Sequence, residues 1–344
     1  MTKGQLRWIN FGFMVGAILL ALVFTILILI ITGAPPLSAF RYLLLGSIQS
    51  FPDVLVAVVP LMLVTTGLLA TFTTGLWNIG IEGQITMGAI FSTAVLRLFL
   101  SSHVSPFIVL VLAIFAGVIG GGLWASLVGL LKTYGGVNEI FGGLGMNFVA
   151  TTITLWLIFG PWKRPGVASM AGTEPFPDWM SLPTIRNLRL SVWTLIIALI
   201  SLLVIYIVLN GTHFGLRLKA VGKNMRAAFL LGIPTIRLIM LSFIICGAMG
   251  GLAGAIQVTA VYHRLIPSIS SGYGYMGLMV AMLINLRAMW IIPIALFFAA
   301  LNIGSIQLPI MLQLDSSLAG VLQGALVLFV LMMDGFRQRL LQRN

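Results

Sequence analysis

Charge is scarce in this chain. Only 8% of its 344 residues are charged, and only 7 of them are Asp or Glu, whereas a soluble domain carries roughly 25% charged residues. A water-soluble fold is excluded. Cysteine is nearly absent: Cys246 stands alone in an apolar run, so no disulfide or thiolate metal centre forms within the chain. His103, His213 and His263 are far apart in sequence and lack metal-ligand spacing, so no metal site is expected. No Gly-x-x-x-x-Gly-Lys-Ser/Thr phosphate loop occurs. Gly222-Lys223-Asn224 lacks both the leading glycine and the hydroxyl, which excludes ATP hydrolysis by that route. No His-Glu-x-x-His, Asp-rich or Ser/His/Asp pattern occurs either, so no catalytic residue is assigned and no cofactor is expected.

Apolar sequence is abundant. The chain is 60% hydrophobic, with a mean hydropathy of +1.12. Its apolar runs are about twenty residues long, the length of a membrane-crossing helix and twice that of a barrel strand. The expectation is an all-α, polytopic helical membrane protein embedded in a lipid bilayer. Hydropathy places about ten crossings, near 11–32, 52–72, 83–100, 107–131, 140–161, 191–210, 237–261, 272–289, 291–311 and 317–334. Phe11–Ile31 carries no charge and is too long for a signal-peptide core, so it reads as a retained first helix.

An even number of crossings puts both termini on one side. Of the 19 Lys and Arg residues, twelve then fall on the side of the termini, and the densest block, 211–237, contains no acid. The excess of positive charge inside predicts cytoplasmic termini, with 211–236 inside and 162–190 outside. The net charge of +12 is thereby explained as topology signal, and no nucleic-acid partner is expected.

The two long connections differ in character. Residues 162–190 hold Pro165, Pro175, Pro177, Pro183, Trp162 and Trp179, and read either as a docking surface for an extracytoplasmic partner or as a passive linker. Residues 211–236 contain Arg226-Ala227-Ala228 ahead of Gly232 and Pro234, which predicts a short, basic, small-residue helix followed by a turn. Glycine-rich interruptions at 74–83 and 268–277 occupy matching places in the two halves, a pattern that admits an inverted internal repeat with discontinuous helices.

Three clusters carry the polar chemistry. Thr74-Gly-Leu-Trp77-Asn78-Ile-Gly-Ile-Glu82-Gly-Gln84 sets an acid, two amides, an indole and three glycines between long apolar segments. Backbone leaves the helix at membrane depth only where protein or water covers it, and ionisable groups there mark pathways. Glu82 either braces a helix start through free backbone N–H groups or contacts a transported solute. Asn78 and Gln84 are its nearest hydrogen-bonding partners in sequence, and Trp77 adds a planar face. In the second cluster, Asn138 suits an N-cap and Glu139 the first helical turn; Asn147 lies two turns deeper, where a buried amide needs partners. In the third, Tyr273 and Tyr275 lie among glycines, and either stack on a ring or form an interfacial belt.

Gly75-Leu-Trp-Asn-Ile-Gly-Ile-Glu-Gly-Gln84, Gly136-Val-Asn-Glu-Ile140, Met146-Asn147 and Leu218-Lys-Ala-Val-Gly-Lys-Asn-Met-Arg-Ala-Ala228 with Gly232-Ile233 resemble the permease subunit of ABC importers for nucleosides and simple sugars. Ser271-Gly-Tyr-Gly274 resembles that family's Gly/aromatic motif. The matches run over about residues 45–290. The sequence departs from the family's usual Phe at Trp77, its Pro at Met225 and its small-residue run at Leu278–Asn285. The resemblance implies a single transmembrane permease domain over 1–344 that forms half of an alternating-access pathway in a bacterial inner membrane. It implies a separate ATP-binding cassette ATPase, an extracytoplasmic solute-binding protein and a second permease, identical or different. Trp77, Asn78, Glu82, Gln84, Asn147, Tyr273 and Tyr275 would line the solute pathway. Lys219, Gly222, Asn224, Arg226, Ala227, Ala228 and Gly232 would couple to the ATPase. A branched-chain amino-acid permease and an ion-coupled secondary transporter are the alternatives.

Overall fold

The computed structural model describes residues 3–31, 33–166, 172–185, 190–284, 286–313 and 317–342. The described regular elements are all helical. In chain order they begin with α1 (Lys3–Ile31), α2 (Pro36–Gln49), α3 (Phe51–Thr73), α4 (Ile81–Leu98), α5 (Pro106–Thr133), α6 (Glu139–Phe159) and α7 (Val192–Gly211). They continue with α8 (His213–Lys223), α9 (Met225–Leu230), α10 (Thr235–Ile256), α11 (Tyr273–Ile284), α12 (Ile291–Ser305), α13 (Gln307–Leu312) and α14 (Leu318–Gln342). A π-helical turn, Gln257–Tyr262, extends α10.

Six described helices are long and apolar enough to cross a membrane, or up to seven if the bent pair α1–α2 forms one span. The expectation of an all-helical chain with several membrane-length helices holds, but the count of about ten is not reached among the described residues. Three windows fall short for visible reasons. The window at 83–100 is α4, whose 18 residues hold Glu82, Gln84 and Arg97. The window at 272–289 yields a helix of 12 residues. In 317–334 the apolar stretch is confined to Gly320–Met333. The window near 11–32 becomes Ile18–Ile31, and a second apolar helix that no window had placed, Pro36–Gln49, follows it at 114°. Gly33 at φ +73° and the Pro35-Pro36 pair make that bend, because proline suits a helix start and cannot continue one.

The chain divides into two compact units, residues 1–54 with 296–344 and residues 55–295. In the first, α1 lies along α14 and α2 against α13, with Phe24 edge-on to Phe329. A small core of Leu29, Ala39, Leu43 and Leu308 closes it, and a side chain at Gly304 would overlap the Leu43 carbonyl.

The second unit is built around a glycine seam. Glycines at 117, 121, 247 and 251 repeat at small-xxx-small spacing, which lets apolar helices approach backbone to backbone where no hydrophobic force drives them together. They do so here: a Cβ on Gly251 would strike the Gly117 carbonyl, and one on Gly121 the Gly247 carbonyl. Gly88 of α4 meets Gly251 as well, so α4, α5 and α10 form one tightly packed trio. Helix α7 reads differently. Its buried residues are Thr194, Ala198, Ile205 and Leu209, one stripe at helical spacing, while Leu199, Ile200, Leu203 and Ile207 stand exposed. Such a face suits lipid.

Candidate functional site

The break between α3 and α4 is a built turn. Thr71, whose carbonyl accepts the Leu76 N–H, and Phe72, whose carbonyl accepts the Gly75 N–H, close α3 with Gly75 at φ +77°. That is the paired capping pattern in which glycine takes the left-handed position after a helix. The chain then runs through Leu76, Trp77 and Asn78 and restarts at Ile81. The first N–H groups of α4 have no partner within the helix, and the sequence supplies partners from elsewhere.

Asn147 of α6 provides the first. Its Oδ1 accepts the Gly83 N–H at 2.8 Å, and its Nδ2 donates to the Ile79 carbonyl at 2.9 Å. One amide thus satisfies a donor and an acceptor that the break had freed. The approach this needs is permitted by two glycines: a Cβ on Gly143 would lie 2.6 Å from the Gly80 nitrogen. Asn78 and Gln84 form a second clasp, with Asn78 Nδ2 donating to Gln84 Oε1 at 2.9 Å and Gln84 Nε2 donating to Asn78 Oδ1 at 3.1 Å. Both side chains are fully buried. Asn78 Nδ2 also reaches Cys246 Sγ of α10 at 3.1 Å.

Glu82 joins the two glycine-rich interruptions. Its Oε1 accepts the Gly272 N–H at 3.0 Å and its Oε2 the Gly274 N–H at 2.7 Å. Gly272 sits at φ +74° and Ser271 at φ +50°, so the turn presents successive N–H groups to one carboxylate. A side chain at Gly274 would overlap Glu82 Oε2. Glycine there is dictated by the closeness of the acid.

The aromatic residues surround this contact unequally. Tyr273 lies within hydrogen-bonding reach of Gln257 on the π turn, and the Tyr262 and Ser271 hydroxyls are 3.1 Å apart. Tyr275 is 42% exposed and Trp77 41%; the Trp77 ring lies 5.3 Å from that of Phe72. Asn138 caps α6 by accepting the Ile140 N–H, and Glu139 pairs with Lys132 at 2.6 Å.

The described part of the 162–190 connection is folded onto the π turn. Thr173 and Phe176 donate their N–H groups to the Leu265 and His263 carbonyls, and Leu182 donates to Thr259. Phe176, Met180 and Leu182 are buried. Of the predicted docking surface or linker, residues 167–171 and 186–189 lie outside the described residues. Burial pushes the His263 imidazole below its ordinary range, with Asp178 pulling in the opposite direction.

In the 211–236 connection, Asn224 caps α9 by accepting the Ala227 N–H at 2.9 Å, and Gly232 turns at φ +79°. Lys219 Nζ donates to Asn210 Oδ1. Gly222 packs on the end of α3, where a Cβ would overlap the Thr73 carbonyl. Ala228 is 3% exposed, while Arg226 and Ala227 face outward beside exposed Met225, Phe229, Leu230 and Leu231. Sequence reasoning missed Cys246 and Gln257 as parts of the polar assembly. Gln257 carried the signal, as the sole amide in the window 237–261.

Residues 50–331 match the family described as the branched-chain amino acid transport system / permease component. The chain is 26% identical over 344 residues to the glucose ABC transporter permease protein TsgB13 of Haloferax volcanii, covering 96% of this chain and 90% of the relative. It is 27% identical over 322 residues to the guanosine ABC transporter permease protein NupP of Bacillus subtilis, covering 91% of each. Similarity to the nucleoside ABC transporter permease protein NupB of Lactococcus lactis subsp. cremoris is 27% over 310 residues, covering 86% of this chain and 82% of the relative.

Proposed function

The chain belongs to the branched-chain amino acid transport system / permease component family, and on that premise we propose that it is the membrane-spanning subunit of an ATP-driven importer of nucleosides or simple sugars. The relatives' names supply the solute class. The observation that carries the reading is Glu82 bridging the two interrupted segments. Non-helical backbone at membrane depth is tolerated where it lines a cavity or is buried in protein, and paired interruptions flank the midplane sites of transporters. A branched-chain amino acid would call for paired charges, yet the Glu82 carboxylate is engaged by backbone N–H groups. The same engagement disfavours a coupling-ion role for Glu82.

Within this reading the polar residues divide into two groups. Asn78, Gln84, Asn147 and Glu82 hold the wall of the pathway by satisfying the broken backbone. Trp77 and Tyr275, with exposed rings, together with Tyr273, meet the solute, because a planar base or the apolar face of a sugar stacks on an aromatic ring. About ten crossings, some of them short or broken, with termini and 211–236 in the cytoplasm and 162–190 outside, remain our topology for a bacterial inner membrane. The partners are an ATP-binding cassette ATPase, a solute-binding protein and a second permease. Exposed apolar residues on α9, amid basic ones, support ATPase docking at Arg226 and Ala227.

The test is uptake by proteoliposomes holding this chain, its genomic-neighbour ATPase and permease, and the binding protein. Labelled nucleosides, glucose and leucine are offered with internal or absent ATP. Concentrative, ATP-dependent uptake of a nucleoside or sugar is expected. Preference for leucine would refute the solute class. ATP-independent uptake that collapses with a protonophore would refute the importer.

A further inference from the structure

A cleft of about 520 Å³ opens beside the inner connection, between the end of α3, the end of α7, α8 and residues 286–288. It is not part of the Glu82 assembly. Its walls are apolar, made chiefly by Leu69, Phe72, Leu209 and Leu216, and its rim carries Lys219 and Lys223. These lysines stand four residues apart on α8, so their charges share one helix face, which is destabilising unless an anion lies between them. Neither makes an ion pair among the described residues. Lys219 is instead steadied by Asn210 Oδ1 at 2.8 Å. No acid occurs anywhere in 211–237. Tyr206 and Leu216 are 48% and 65% exposed at the mouth, continuous with the outward apolar face of α7.

We infer that this cleft holds an anionic phospholipid of the inner leaflet, its phosphate between Lys219 and Lys223 and its acyl chains along Phe72, Leu209 and Leu216. Basic pockets between membrane helices on the cytoplasmic side suit such headgroups, with about 1 kcal/mol per Lys or Arg near the surface. A free phosphate would meet the same lysines and gain nothing from the apolar walls. Gly222 shapes the floor by letting α8 rest on the Thr73 carbonyl. Lys219 is thereby given to lipid and not to the ATPase. The inference rests on the inner placement of 211–236 proposed above.

The experiment is native mass spectrometry of the full-length chain, purified in detergent and mixed with equal amounts of phosphatidylglycerol and phosphatidylcholine. Phosphatidylglycerol should be retained preferentially. Substituting Lys219→Ser and Lys223→Ser together should cut its retention roughly tenfold, while Lys219→Arg with Lys223→Arg keeps it. Arg217→Ser, a charge loss on the same helix away from the cleft lining, should have little effect. Leu216→Trp, at an exposed position, should lower retention by filling the groove and does not depend on the lysine variants folding. Equal retention of the two lipids, or undiminished phosphatidylglycerol in the folded double variant, overturns the proposal. So does displacement of the lipid by inorganic phosphate, which would mark a simple anion site. If the double variant keeps its lipid but no longer captures the ATPase, the cleft is a protein socket and the proposal is wrong. None of these readouts needs solute or ATP, so failure here and failure of the transport assay are separate results.

Discussion

The Glu82 carboxylate accepts the Gly274 N–H at 2.7 Å across 192 residues of chain. The other oxygen accepts from Gly272, so one acidic side chain fixes the start of α4 to the start of α11. Its charge also lies in the first turn of α4, where the helix dipole favours an anion by about 0.3–1 kcal/mol. Glutamine at this position offers only one acceptor. Its NH₂ would face the other N–H, donor against donor. Glu82→Gln should therefore leave one N–H unsatisfied, at a cost of about 1–3 kcal/mol, and Glu82→Ala both. Thermal unfolding of the purified chain should rank wild type above Gln and Gln above Ala, with solute competition unchanged in whichever variants still transport. A Glu82→Gln protein of normal stability and altered solute preference would show that the acid meets solute.

The Asn78–Gln84 clasp predicts non-additive energetics. Each amide is buried and bonded twice to the other, with Asn78 Nδ2 also reaching Cys246 Sγ. Asn78→Leu alone strands the Gln84 amide, and Gln84→Met alone strands that of Asn78, each at about 1–3 kcal/mol. Removing both leaves an apolar contact, which is far less costly than the sum. A double-mutant cycle on unfolding midpoints should give a coupling of about 0.5–3 kcal/mol. Simple additivity would mean that the amides act independently.

His263 predicts a pH dependence of the packed 173–182 segment. Its pKa is lowered by burial, with Asp178 as the opposing influence. The unfolded chain therefore takes up this proton at a higher pH than the folded one. Stability is undiminished above the ordinary imidazole pKa of about 6.5, and falls as pH drops below it toward the lower folded value. Since His263 anchors Phe176 through its carbonyl, the loss should loosen residues 173–182 first. Proteolytic nicking of this segment in detergent should rise between pH 7.5 and pH 5.5, on the order of severalfold, and the rise should shrink in His263→Gln. Equal nicking at both pH values in wild type would refute the effect.

The legibility of the chain follows the range of the interactions. Helical apolar runs are local, so their presence in α3, α5, α6, α7 and α10 could be read from composition. Crossing number could not, because α11 is short and α1 bends at Gly33 and two prolines into α2; whether such pieces span is decided by what covers their ends. The polar break at 74–84 stood out as residues out of place in an apolar chain. Its wiring did not, since Glu82 reaches Gly274, Asn78 reaches Cys246 and Asn147 reaches Ile79 across long stretches of sequence. Cys246 gave no signal at all in its apolar run. The glycine seam went unread in the sequence, and the fold reveals that Gly117 faces Gly251.

The paired alanines of α9 give the sharpest test of coupling, because burial separates them. Ala228 is turned into the chain, its carbonyl accepting the Ile233 N–H. Ala227 faces outward beside Arg226, with exposed Phe229 and Leu230 nearby. A charge at Ala228 has to be buried or must unpack α9, at a cost of several kcal/mol, so Ala228→Glu should lower the amount of folded protein in the membrane. A charge at Ala227 stays in water and should leave the fold alone, since surface substitutions are usually within about 0.5 kcal/mol. If α9 seats in a cleft of the ATPase, Ala227→Glu puts a bulky acid into that contact and should weaken ATPase capture, or uncouple ATP hydrolysis from uptake, by tenfold or so. Membrane abundance, ATPase co-purification and ATP-dependent uptake should be measured for both variants. Normal capture and coupling in Ala227→Glu would remove the outward face of α9 from the ATPase interface.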